Sequence, residues 1–162
     1  SAPTEALLAA PMGFTRLGEE GGWVRWGVAA EAGGGPAPSG TRLDLAQRPE
    51  SPRGMWGTGA IHHLAFRVDD EAHELALRAA IGESGPHPTP VIDRFWFKSV
   101  YFKEPGGVLF ELATDGPGFA VDEAKDRLGE TLVLPPWLEP QRAAIAAGLP
   151  ALVQPTAREA GS

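Results

Sequence analysis

The chain has 162 residues, no cysteine, 21 glycines and 16 prolines, and its 14 Lys and Arg against 21 Asp and Glu leave a net charge of −7. Without cysteine there is no disulfide framework, thiolate zinc site, iron–sulfur cluster or thiol nucleophile. The acidic balance argues against a nucleic-acid partner, and no apolar run reaches the ~20 residues of a membrane-spanning helix. A chain of this length predicts one domain, or two small ones, with a genuine core. It opens at Ser1 without an initiator Met and without a secretory signal, so a processed or truncated cytoplasmic protein is expected.

The many glycines and prolines read as tight turns between short elements. Residues 4–10 (TEALLAA) predict a short helix capped by Thr4 and ended by Pro11. Residues 14–19, 23–28 and 41–45 alternate as strands do, with Gly21-Gly22 as a turn. Residues 32–40, including Gly33-Gly34-Gly35, form a Gly/Pro/Ser loop, and 46–58 a connection. Residues 60–68 (AIHHLAFRV) predict a strand. Residues 69–81 predict an amphipathic helix with Leu75, Ala79 and Ile81 near one face. Residues 91–97 and 98–103 have strand composition, Glu104-Pro105-Gly106-Gly107 is a hairpin turn, and 108–113 is the return strand. The second half is therefore βαβββ, and the first half is the same unit without its first strand. A tail with an amphipathic stretch near 141–147 follows, ending in small residues.

Four histidines are present. His73 sits on the acidic helix and His87 between prolines, and neither suggests a site. His62 and His63 interrupt an apolar strand. Side chains alternate faces along a strand, so His62 shares a face with Leu64, Phe66 and Val68. His63 shares the other with Arg67 and the small Ala65, which leaves room for a ligand. Glu111 interrupts the apolar run 108–113 in the same way. A buried carboxylate is costly unless it is paired or binds a metal. His63 and Glu111 thus suggest part of a two-His-one-carboxylate site. The alternative is a salt bridge from Glu111 to Arg94 or Arg67, with His63 a satisfied core histidine. Arg94 interrupts 91–97 and is expected to face an anion. Tyr101 precedes the hairpin, and whether it shares a face with Glu111 depends on the register of the turn.

Residues 57–68 (GTGAIHHLAFRV), 90–94 (PVIDR) and 101–111 (YFKEPGGVLFE) resemble the vicinal oxygen chelate superfamily, and within it the ring-cleaving dioxygenases of hydroquinone-type substrates. Residues 117–119 and 134–139 resemble the same group. The resemblance implies an α+β fold of paired βαβββ modules. The expected division is an incomplete module over 1–48, a linker over 49–58, a complete module over 59–114 and a tail with a short helix over 115–162. It implies that His63 and Glu111 ligate Fe(II), with Mn(II) or Zn(II) ranked behind it. It further implies that His62, Arg94 and Tyr101 handle the oxygens and protons of an aromatic diol, while both atoms of dioxygen enter the cleaved ring.

The same resemblance implies a longer protein of four such units, whose remaining ligand lies in an upstream His-His-x-Thr segment. This sequence has one His-His pair, the downstream one. It therefore reads as the C-terminal part of such an enzyme, one ligand short, to be completed by an N-terminal half or a homo-oligomeric partner. Two other readings stand beside it. One is a non-catalytic small-molecule-binding or assembly module. The other is a metal lyase or isomerase completed in a homodimer. The missing first strand predicts an exposed sheet edge and self-association.

Overall fold

A computed structural model describes residues 2–28, 41–52 and 54–150. The loop expected at 32–40, its glycine run and the small-residue end beyond 150 lie outside the described residues. The fold is α+β, with two sheets and three α-helices among the described residues.

The first module is α1 (Ala2–Ala9) followed by an antiparallel meander of β1 (Thr15–Glu20), β2 (Trp23–Gly27) and β3 (Arg42–Ala46). Gly21 and Gly22 both have positive φ, at 57° and 79°, which the tight turn between β1 and β2 requires. Trp26 pairs with Leu43 and Val24 with Leu45, so the apolar residues share one face. Arg25 pairs with Asp44 on the other. Thr4 does not cap α1, as the sequence suggests. The helix begins at Ala2, and Thr4 lies inside it, buried, donating its hydroxyl to Glu104 at 2.7 Å.

The second module is β4 (Leu64–Val68), α2 (Glu71–Glu83), β5 (Ile92–Asp93), β6 (Lys98–Lys103) and β7 (Leu109–Thr114). Its sheet runs β4-β7-β6-β5, with β4 parallel to β7 and the other pairs antiparallel. Two elements are shorter than the sequence suggests. The strand expected from residue 60 starts at Leu64, opposite Phe110, because β7 begins only one residue before Phe110 and the ladder runs out. The strand expected over 91–97 keeps only Ile92 and Asp93. Beyond them the chain turns: Arg94 N donates to Phe97 O at 2.9 Å, and Phe95 takes a φ of 73°.

Val100, Phe102, Phe110 and Leu112 share one face of this sheet and are buried. Lys98 projects from the same face and pairs with Glu71, which sets α2 over it. An edge-to-face aromatic series, Phe14–Phe66–Phe110–Phe102, carries the core from the first module into the second. The helix is rotated from the expected face. Leu75 is 46% exposed, while Glu74 and Ile81 are fully buried. Asp70 caps α2 by accepting from His73 N at 2.8 Å, so the helix starts two residues later than the apolar spacing alone suggests.

Glu74 is the anomaly of this core. Neither carboxyl oxygen has a partner among the described residues. An unsatisfied buried group costs about 1–3 kcal/mol. Burial of Ile81, Val68, Val100 and Leu112 gains about 1.5–3 kcal/mol each, so the packing wins. Desolvation, helped by Glu71 and Glu111 and opposed by Lys98, raises the Glu74 pKa above that of an ordinary glutamate.

From Phe119 onward the chain forms a second unit, described by itself. It contains short 3₁₀ turns at Phe119–Val121, Lys125–Arg127 and Pro136–Gln141, then α3 (Arg142–Gly148). Its fixed point is the Glu123 carboxylate, which accepts from Gly129 N and Thr131 Oγ1. Among the described residues no helix is long and apolar enough to cross a membrane.

The raised Glu74 pKa fixes a sign. As pH rises past the ordinary glutamate range, the unfolded chain loses this proton before the folded chain does. Stability therefore falls until the raised folded value is passed. Glu74→Met is expected to raise stability at pH 7 by about 1–3 kcal/mol and to remove that part of the slope. Urea denaturation from pH 4 to 8 checks both.

Candidate metal centre

The site lies on the sheet face opposite α2. Tyr101 pairs with Glu111, and Glu111 with Ala65, so three adjacent strands present these residues on one face. The hairpin register left open by the sequence is thereby fixed. Glu111 is only 3% exposed although it carries a carboxylate. Its Oε1 accepts from the Tyr101 hydroxyl at 2.6 Å, and its Oε2 lies 2.7 Å from His63 Nε2. A hydrogen bond to a carboxylate contributes about 1.5–3 kcal/mol, and both oxygens are engaged. The two arginines weighed as partners go elsewhere. Arg67 pairs with Asp115, and Arg94 Nε lies 3.4 Å from the buried Ser99 Oγ.

His62 and His63 precede β4, yet His63 still turns toward the face of Ala65 and Glu111. His62 Nδ1 lies 2.8 Å from His63 Nδ1, so both ring nitrogens of His63 are engaged. The rings of His63 and Tyr101 meet edge to face, with centroids 5.9 Å apart. The Arg94 guanidinium stands 5.4 Å from the Tyr101 ring centroid, a cation–π contact. Arg94 reaches it from the β5–β6 turn rather than from a strand. Asp93, its neighbour, accepts from Phe95 N at 2.7 Å and holds that turn. The structure thus brings together all five residues singled out: His62, His63, Arg94, Tyr101 and Glu111. His73 and His87 are exposed and lie apart from this network.

Trp56, Ser99 and Glu104 were not visible from the sequence. The Trp56 ring packs against His62 at 4.8 Å between centroids, from a connection with no periodicity to flag it. Ser99 is an unremarkable polar residue until the register sets it beside Arg94. An acidic residue opening a turn, as Glu104 does, is too common to stand out.

An imidazole nitrogen and a carboxylate oxygen that converge are donor types that a first-row divalent cation accepts. The donor types fit such an ion, and the number is two. Among the described residues no group of three or more His, Cys, Asp or Glu could hold a metal.

No protein-family model matches the sequence. The chain is 42% identical over 147 residues to MhqA of Bacillus subtilis (strain 168), which is named for ring-cleaving dioxygenase activity, covering 91% of this chain and 46% of that protein. It is 35% identical over 127 residues to a chlorohydroquinone/hydroquinone 1,2-dioxygenase of Sphingobium indicum, covering 75% and 37%. A crystal structure from Bacillus subtilis, described as a dioxygenase, superposes with a TM-score of 0.83 at 40% identity over 94% of this chain and 46% of that one. A glyoxylase/bleomycin resistance protein/dioxygenase domain from Frankia shares the fold alone, with a TM-score of 0.54 at 14% identity over 74% and 86%. The chain has the vicinal oxygen chelate fold. It spans about half the length of the curated relatives it matches.

Within this vicinal oxygen chelate fold the first module offers a direct contrast. Arg25 and Asp44 pair on the last two strands of its sheet, on the face away from Trp26, as Tyr101 and Glu111 pair in the second. There the carboxylate is held by both guanidinium arms, at 2.8 and 2.7 Å, and no histidine reaches it.

Tyr101→Phe is expected to leave Glu111 Oε1 buried without its donor and to cost about 1–3 kcal/mol of stability. Arg67→Ala, which opens an exposed pair, should move the urea midpoint far less. Parallel denaturation of the two variants checks the ordering.

Proposed function

We propose that this chain is the C-terminal part of an Fe(II)-dependent ring-cleaving dioxygenase acting on hydroquinone-like aromatic diols. The observation that carries the reading is the convergence of His63 Nε2 and Glu111 Oε2 beside the Tyr101 hydroxyl. The identity to a hydroquinone 1,2-dioxygenase supports the substrate class.

In this reading His63 and Glu111 hold the metal, and the third ligand comes from an N-terminal half or a partner chain. Fe(II), when bound, supplies the coordination and redox chemistry that joins diol and dioxygen. The chain's own residues do the rest. Glu111 is aimed by the Tyr101 hydroxyl. Arg94, held over the Tyr101 ring, presents a fixed positive charge to a phenolate oxygen. His62, exposed beside Trp56, is positioned to take or return a diol proton. Trp56 offers an aromatic wall near the same opening. A cysteine-free chain suits a cytoplasmic enzyme.

The test is to co-express this chain with an N-terminal half carrying a His-His-x-Thr segment, then measure bound iron and oxygen uptake with hydroquinone. Bound iron and hydroquinone-dependent uptake are expected. His63→Ala or Glu111→Ala should abolish iron retention, and Tyr101→Phe should lower activity about 10–100-fold. No iron and no uptake in the reconstituted protein would sink this reading in favour of a non-catalytic binding module.

A further inference from the structure

We propose that Glu104 is a positioning residue for the Tyr101–Glu111 pair, and that α1 of the other module keeps it in place through Thr4. The inference rests on the proposed function for its importance, since that pair is part of the proposed centre.

Glu104 follows the last residue of β6 and is only 5% exposed. Burying a carboxylate costs less when each oxygen has a donor, and both oxygens of Glu104 have one. Oε1 accepts from Val108 N at 2.9 Å, and Oε2 accepts from Thr4 Oγ1 at 2.7 Å. Its main chain closes the same turn, with Glu104 N donating to Val108 O at 3.0 Å and Gly107 N to Glu104 O at 2.8 Å. The carboxylate therefore staples both ends of the turn and sets its length.

Turn length sets register. With this turn, Lys103 pairs with Leu109, Phe102 with Phe110 and Tyr101 with Glu111. A slip of one residue would turn Glu111 to the apolar face of Val100 and Leu112. Space beneath the turn is already filled: a Cβ on Gly106 would lie 2.6 Å from Glu104 Oε1. Thr4 is 100 residues away in sequence and itself buried. One hydroxyl on the first module thus completes the staple that aligns the centre on the second.

Tyr101 is the sole tyrosine, so one Cζ-labelled tyrosine gives one NMR signal for the hydrogen bond to Glu111. Two variants disturb the staple without touching the centre. Thr4→Val deletes the donor at nearly constant shape, and Gly106→Ala crowds Oε1. Both are expected to move the Tyr101 resonance toward its position in Glu111→Ala, while Thr4→Ser, which keeps the hydroxyl, retains the original signal. If Thr4→Val and Gly106→Ala lower the melting temperature but leave the folded-state resonance unmoved, Glu104 is only structural and the proposal falls. The two readings separate cleanly. A shifted resonance in a protein without oxygen uptake keeps this inference and removes the function. An unshifted one removes this inference whatever the uptake.

Discussion

A carboxylate held inside a β-sheet is the constraint on which the second module turns. Glu111 sits in a strand whose neighbours are apolar, and it is almost fully withdrawn from water. Bonds to its oxygens offset the cost of that burial. The tyrosine on one flank and the histidine on the other supply those bonds, and both must arrive in register. Tyr101 does so through β6, and His63 through the start of β4. The small Ala65 leaves the space between them open.

The same domain holds a second buried carboxylate with the opposite solution. Glu74 lies on the far side of the sheet, without donors, and burial favours its neutral form. Glu111 gains its bonds from the sheet, whereas Glu74 is carried by the packing of its neighbours. One is bonded on both oxygens, and the other has no partner among the described residues. The difference lies in the faces: the polar face gathers Ser99, Tyr101 and Glu111, and the other is closed by Val100, Phe102, Phe110 and Leu112.

Much of this was legible from the sequence because strand period and turn chemistry are local. The order of elements, the β6–β7 hairpin and the shared face of His63 and Ala65 follow from alternation and from Glu104-Pro105-Gly106-Gly107. The resemblance carried by residues 57–68 and 101–111 added which polar residues belong together. What failed depended on contacts between distant parts. Thr4 reads as a cap but is a donor to a residue in the other module. Leu75 fits the helix spacing, but Asp70 caps α2 and the helix turns Glu74 inward. Arg94 reads as part of a strand because its neighbours are apolar, yet a left-handed Phe95 ends that strand. Register across a turn could not be read at all, since a single residue decides which face Tyr101 takes.

The chain also contains its own comparison. At matched positions on the two sheets, one carboxylate is met by a tyrosine and a histidine, and the other is locked by a guanidinium. The antiparallel pairing of the two strands is common to both, so it does not decide how the acid is bonded. What differs is whether the acid's lone pairs are already spent on a permanent cation. The same pair of strands can thus carry an acid tied to a cation or one met by a tyrosine and a histidine.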